Sequence, residues 1–440
     1  MTTDRPHRYL FATVPAAGHV HPAVPVAREL LARGHEVRWL TGTAFRSLVE
    51  STGAAFEPLV ETYDPADGST ITERFPERAG LTGLAGIKFD IKHVFIDQIP
   101  AQAADLRRVL ATYDADVVVA DTGFMGASVQ HELGGPRWAS ISVTPLAIPS
   151  RDTAPFGTGL PPIRTRRDRL RSAVLSLSQR TVMRDVERHH TAVRAGLGLP
   201  ASAHGILQAN ASPYLFLQSG TRALDYPRSD LPDQVHYVGP LVMTGSPSQT
   251  STDWAALAAG RPVVLVTQGT VATESDGLVD TALRALADRD VFVVALGAAP
   301  TGAVPDNARV QDYVPYDEVL RHASAMITNG GYGGVQLALS HAVPLAVAGA
   351  TEDKPEVAAR VAWSGAGLDL RTATPSEQDL RAAVTRLLTD VQIRSAAQRI
   401  AEEYARHDAP RTSADLLEAM VGSGRAAGRS QMSARDQVLR

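Results

Sequence analysis

Cysteine is absent from all 440 residues. Disulfides, thiolate metal sites and cysteine nucleophiles are therefore excluded, and a reducing intracellular compartment is the expected home. A net positive charge is absent too: the formal charge is -4 and the pI is near 6.4, which leaves no basic footprint for DNA or RNA. No apolar stretch reaches the roughly 18 residues that a membrane-spanning helix needs. At the start, MTTDRPHRYLFATVPAAGH is apolar only from Tyr9 to Val14 and shows no signal-peptide pattern. These absences predict a cytoplasmic protein with no nucleic-acid partner and no stable membrane insertion. The lack of a G-x-S-x-G string removes the nucleophile elbow of an α/β-hydrolase.

What is present suits a large folded enzyme. Apolar residues make up 44% of the chain and charged residues 20%, a globular composition. At roughly 150 residues per domain the length predicts two large domains.

Residues Arg8 to Val14 read as a buried strand, PAAGHVHP as a tight turn, Ala23 to Arg33 as a helix and RGHEVRWLT as the next strand. VVVAD (Val117 to Asp121), a glycine turn, a helix through Glu132 and RWASISV repeat that β-α-β unit, predicting a parallel sheet flanked by helices. From Ser150 to Gly205 a Pro/Gly-rich loop, the basic stretch RTRRDRLR and a helical pair read as an insertion. A second series follows: RPVVLVTQGT, a helix from Gly277 to Asp288, VFVVALG, VQDYVP, SAMITNGGYGG and VPLAVAG. The last long helix is expected near Gln392 to Met420.

The turn after the strand at Ala325 to Ile327 is the first chemical signal. Asn329-Gly330-Gly331-Tyr332-Gly333-Gly334 precedes a helix, so glycines would bare backbone N–H groups at a helix N-terminus, where phosphate binds. An ordinary strand-helix turn is the plainer alternative. A dinucleotide fingerprint is another, since Gly331-Tyr332-Gly333 is G-x-G and Asp353 lies about 20 residues on. Its third glycine is missing, because Gln336 stands there.

Other charged and titratable clusters have plain readings. His35 follows the helix stop Gly34 and reads as packing or solvated, and His189-His190 has no metal-ligand partner at the usual spacing. The strings Asp114 to Asp116 and Asp288 to Asp290 read as solvated turns, and Arg164 to Arg171 as a solvated helix face. No metal is expected.

The segment NARVQDYVPYDEVLRHASAMITNGGYGGVQLALSHAVPLAVAGATEDKPEVAARVAWSGAGL resembles the donor signature of bacterial natural-product glycosyltransferases related to the macrolide and UDP-dependent enzymes. PAAGHVHPAVPVARELLARGHEV and VHYVGPL resemble that family as well, so the likeness covers nearly the whole chain. It implies the GT-B fold: an α/β chain with two Rossmann-like domains, their parallel sheets facing across a cleft. The expected divisions are an acceptor domain at 1–238, a linker at 239–255 and a donor domain at 256–405. A C-terminal helix at 406–422 returning to the first domain and a disordered tail at 423–440 complete them.

The resemblance implies roles residue by residue. His19 matches the general base, a side chain whose pKa suits abstraction of a hydroxyl proton, with His21 as competitor. Asp121 matches its acidic partner, against a simple helix-capping role. Asn329 stands where relatives carry histidine against the diphosphate, and Gly334 where they carry serine or threonine; Gly330, Gly331 and Gly333 complete that turn. Glu352 precedes Asp353-Lys354, which replaces the family's Asp-Gln sugar-reading pair, and the Lys354 ammonium is a candidate to offset the charge missing at Asn329. Tyr313 matches the aromatic that stacks on the base, Val314 the backbone that reads its edge, and Thr270, beside Gly269, a phosphate-facing hydroxyl. The family's ribose acid falls at Leu337, next to Gln336. Acceptor contacts are expected from Phe89, His93, Phe124, Met125 and Thr144.

The implied activity is inverting, metal-independent transfer of a hexose from a nucleotide diphosphate sugar to a hydroxyl of a small hydrophobic polyketide, macrolide or phenolic. UDP-glucose is the first choice of donor and a dTDP-sugar the second, used as substrate rather than cofactor by a monomer or homodimer. A nucleotide-sugar epimerase of the same fold and a catalytically silent sugar-nucleotide binder are the alternatives.

Overall fold

The computed structural model describes residues 5–65, 71–243, 252–268, 277–297, 300–312 and 314–422. Among the described residues, thirteen strands form two parallel sheets. The first has seven strands in the order β3-β2-β1-β4-β5-β6-β7. They are β1 Arg8–Ala12, β2 Glu36–Thr41, β3 Ala55–Pro58, β4 Val117–Asp121, β5 Trp138–Ser142, β6 Phe216–Ser219 and β7 Val235–Gly239. The second has six in the order β10-β9-β8-β11-β12-β13. They are β8 Val263–Thr267, β9 Phe292–Leu296, β10 Ala308–Gln311, β11 Ala323–Thr328, β12 Leu345–Val347 and β13 Gly367–Asp369.

The near-continuous apolar runs follow from burial on both faces. In the first sheet Tyr9, Phe11, Val37, Trp39, Val117 and Val119 share one core, while Leu10, Ala12, Leu40, Val118 and Ala120 fill the other. The second sheet alternates in the same way, with Val263, Leu265, Phe292 and Val294 on one face and Val264, Val266, Val293 and Ala295 on the other. A one-residue slip would exchange the two sets wholesale, so the register is tightly specified.

Both sheets reverse winding direction beside their first strand, between β1 and β4 and between β8 and β11. In such sheets the loops at the carboxyl ends diverge at this point and leave a crevice for ligands. His19 follows β1, Asp121 ends β4, and Asn329 follows β11.

Two expected elements differ. The first strand stops at Ala12 rather than Val14, because the Val14 N–H donates to Asp121 Oδ2 at 2.7 Å instead of joining the ladder. The helix expected across Gln392 to Met420 is two helices, Val391–Tyr404 and 409–422. Asp408 Oδ1 accepts from Arg411 N at 3.1 Å, an N-cap that starts the second helix afresh.

That second helix buries Ala409, Ala414, Leu417, Met420 and Val421 in the core of the first sheet. Arg33 Nη1 pairs with Asp415 at 2.6 Å and with Glu418 at 3.1 Å. The crossing needs Gly239, whose φ is +101° and whose Cβ would lie 2.7 Å from His407 Cβ. The insertion carries the helices Arg166–Val182 and Arg184–Gly196. No helix among the described residues is long and apolar enough to cross a membrane.

Candidate active site

His19 sits in the short helix Ala17–Val20 directly after β1. Its Nδ1 lies 2.7 Å from Asp121 Oδ1, and the imidazole remains 23% exposed while Asp121 is 1% exposed. Gly123 N also donates to Asp121 Oδ1, at 2.6 Å. With Val14 N on Oδ2, the carboxylate is held by backbone from both sides of the switch point. Pairing of the imidazole with this carboxylate fixes the His19 proton on Nδ1 and leaves the Nε2 lone pair free. Burial alone would lower the His19 pKa. The attraction and hydrogen bond of Asp121, reinforced by Asp353 and Glu352, outweigh it and raise the pKa above its ordinary value.

Three neighbours that sequence pattern did not single out hold this pair. Asn210 Nδ2 donates to the carbonyls of Asp121 at 2.7 Å and Phe124 at 3.1 Å. Gln102 Oε1 accepts from Gly126 N at 2.8 Å. At Gly123 a Cβ would come within 2.8 Å of His19 Cε1 and 3.0 Å of Asp121 Oδ1, so only glycine lets the turn approach the dyad. His21 differs sharply from His19: burial lowers its pKa, with no carboxylate contributing.

On the second sheet, β11 runs into the turn and the helix Tyr332–Ser340 begins at the Gly331 cap. Gly330 has φ +93° and a Cβ there would meet Val347 Cγ1 at 2.7 Å, so this glycine is required by the fold. At Gly331 and Gly333 a Cβ would meet nothing within 4 Å. The N–H groups of this first turn lie at the positive end of the helix, which suits an anion. Gly334 has room for a side chain, its nearest neighbour being Tyr316 at 3.5 Å.

Asn329 is 9% exposed. Its Nδ2 donates to the carbonyl of Gln268 at the end of β8, and its Oδ1 is buried without a hydrogen-bond partner among the described residues. The side chain thus ties the two switch-point strands together and offers a ligand an acceptor rather than a positive charge. Gly269, Thr270 and Tyr313 lie outside the described residues. Val314 is buried in the core, leaving only its backbone for a base edge.

Glu352 takes a left-handed φ of +57°, costly for a residue with a Cβ and concentrated at ligand sites. Lys354 is buried and its Nζ lies 2.7 Å from Glu352 Oε2, so its ammonium is engaged within the acidic turn and not free for a diphosphate. Asp353 is pushed up to about 6, first by burial and then by Glu352. His19 and Asp353 influence each other electrostatically across the domains.

The ribose acid has no counterpart at the expected place. Leu337 is packed in the core, and Gln336 Oε1 accepts from Ser219 Oγ of β6 at 2.9 Å. Tyr332 donates to the Ser219 carbonyl at 3.0 Å. Both side chains therefore join the domains.

Among the acceptor candidates, Phe124 is corrected. It is fully buried in the first-domain core and presents no surface to a ligand. Met125 packs against the core that contains Ile96 and Ile99. Thr144 lies half-buried at the end of β5, its carbonyl accepting from Gln218 Nε2 at 3.0 Å. Phe89 and His93 stand together, ring centroids 4.5 Å apart. The two D-x-D strings are structural in part: Asp116 accepts from Arg8 N at 2.9 Å, and Asp288 pairs with Arg381. His35 binds Glu418 of the returning helix at 2.8 Å.

Known proteins resemble this chain in sequence and in fold. Residues 281–420 match the C-terminal domain of the erythromycin biosynthesis protein CIII-like family. The chain is 47% identical to 4'-demethylrebeccamycin synthase of Lentzea aerocolonigenes, over 94% of this chain and 99% of that one. It is 33% identical to UDP-glycosyltransferase 2 of Phaeomoniella chlamydospora, over 96% and 97%. The crystal structure of the glycotransferase of kitacinnamycin superposes with a TM-score of 0.73 at 25% identity, covering 94% of this chain and 99% of the other. These relatives favour transfer over epimerisation or silent binding. With a relative 47% identical across nearly the whole chain and a fold of two parallel sheets, the chain belongs to the GT-B natural-product glycosyltransferase family.

Proposed function

We propose that this enzyme transfers a hexose from a nucleotide diphosphate sugar to a hydroxyl of a small hydrophobic natural product, inverting the anomeric carbon without a metal. The supporting observation is the 2.7 Å contact between His19 Nδ1 and Asp121 Oδ1, which leaves Nε2 as the proton acceptor. The acceptor oxygen forms its bond to the anomeric carbon as its proton passes to Nε2. The bond from that carbon to the phosphate oxygen breaks, and the nucleotide diphosphate departs with the electron pair. Asp121 balances the imidazolium, and the N–H groups that open the Tyr332–Ser340 helix stabilise the leaving phosphate.

UDP-glucose is the first choice of donor and a dTDP-sugar the second, the Phaeomoniella relative's name supporting a UDP-linked sugar without specifying which. Asp353 reads sugar hydroxyls in this scheme, and a cysteine-free chain suits the cytoplasm. The test is a thermal-shift panel of nucleotide sugars, followed by turnover of the best donor with and without a mixed phenolic and macrolide acceptor set. Acceptor-dependent release of nucleotide diphosphate supports the reading. Failure of every nucleotide sugar to bind would refute it.

A further inference from the structure

The helix Gly83–Phe89 passes directly into a π-helical turn, Asp90–Phe95, and then a tight turn, Ile96–Gln98. Single π turns inside helices concentrate at functional positions because they re-aim side chains. Here the turn aims His93 and Asp97 at His189, which projects from the helix Arg184–Gly196 of the insertion.

His93 Nδ1 lies 2.7 Å from Asp97 Oδ2, and His189 Nε2 lies 2.6 Å from Asp97 Oδ1. One ligand atom from each of the three residues falls within 4.8 Å of the others. Sequence spacing gave His189 no metal-ligand partner; the fold supplies two, from a segment about 90 residues earlier.

Two imidazoles and one carboxylate form a set that divalent zinc, cobalt or nickel accepts, with water in the remaining positions. Zinc bonds of about 2.0–2.2 Å require the donor atoms to sit roughly 3–3.5 Å apart, so the two His–Asp contacts would open by less than about 1 Å to admit the ion. The side chains are 36%, 37% and 30% exposed for His93, Asp97 and His189, so an ion has an entry path and room for water.

The frame is already built. Lys88 and Lys92 both reach Asp185, on the helix that carries His189, at 2.6 Å. These ion pairs fix the two elements against each other. A metal would find its ligands ordered and would lose little affinity to ordering them.

We propose that His93, Asp97 and His189 bind one divalent transition-metal ion, zinc in the first instance, that clamps the π turn to the insertion. None of its ligands belongs to the His19–Asp121 constellation, so the ion is structural and the sugar transfer remains metal-independent. His93 packs against Phe89 with the ring planes tilted, so the clamp steadies an aromatic side chain on the segment from which acceptor contacts are expected. Binding requires a lone pair on the ligating nitrogen of each imidazole.

The test uses the full chain stripped with a chelator and titrated with zinc by calorimetry and with cobalt by visible absorption. Saturation at one equivalent, with zinc raising the melting temperature, is the expected result. His93→Gln and His189→Gln should each weaken binding by on the order of 100-fold or more, while His204→Gln, on an exposed loop, should leave it intact. A melt in chelator establishes that each variant is folded, and Asp97→Asn supplies a third, nearly isosteric probe. No saturable equivalent, or unchanged affinity in the folded ligand variants, would overturn the site.

Discussion

Asp121 holds His19 at 2.7 Å with one oxygen while its other oxygen takes the Val14 N–H that β1 gives up. The base candidate and the end of its own strand are therefore positioned by a single carboxylate. Orientation of the imidazole and of the β1 turn cannot be changed independently.

His19→Ala should lower turnover by about 10²–10⁴-fold, the usual contribution of a general base, with donor affinity little changed. Asp121→Asn should cost a similar factor. It should also move the acidic limb of the kcat profile to lower pH, since removing the largest influence that raises the His19 pKa leaves burial to lower it. A limb that stays in place would show that Asp121 does not charge-balance His19.

Gly123→Ala tests the geometry alone. The new methyl would sit 2.8 Å from His19 Cε1, and a displacement of about 1 Å at a reacting group is worth up to about 10²-fold in rate. Steady-state kinetics should show the loss in kcat while the donor KM holds.

Asp353 has a folded pKa of about 6 against an ordinary 3.8, so its contribution to stability is greatest below pH 4 and is lost as pH rises through 6. By linkage that raise corresponds to about 3 kcal/mol at most. Asp353→Asn should therefore raise the melting temperature of donor-free enzyme at pH 8 but not at pH 4, while reducing sugar transfer. Denaturation curves at the two pH values decide it.

Lys354→Gln restores the family's residue beside Asp353. Because Lys354 Nζ is already paired with Glu352, diphosphate affinity should change less than about tenfold, and selectivity among nucleotide sugars should shift more. A collapse of affinity for the bare nucleotide diphosphate would show that the ammonium turns to the phosphate on binding.

Leu417→Ala examines the returning helix. The side chain is fully buried in the first-domain core, and its truncation should cost about 2–5 kcal/mol in chemical denaturation.

The strand pattern was legible because period-2 burial on two faces forces long apolar runs such as VVVAD and VVLVT. The turn Gly330 to Gly334 was legible as glycines between a strand and a helix, whereas the roles of His19 and Asp121 came from the family resemblance. Phe124 was misplaced because an aromatic next to a catalytic turn reads the same whether it faces the cleft or the core. Gln336 looked like a defective fingerprint and is instead a domain contact to Ser219.

The sequence by itself determined the two α/β halves, their strand order of appearance and the loops that carry chemistry, since hydrophobic period and turn residues are local properties. Only the tertiary structure decided which loops meet. The return of the C-terminal helix onto the first sheet, the approach of Asp353 to His19 and the convergence of His93, Asp97 and His189 each join residues far apart in the chain. Such contacts depend on how the layers pack in three dimensions, which no local pattern encodes.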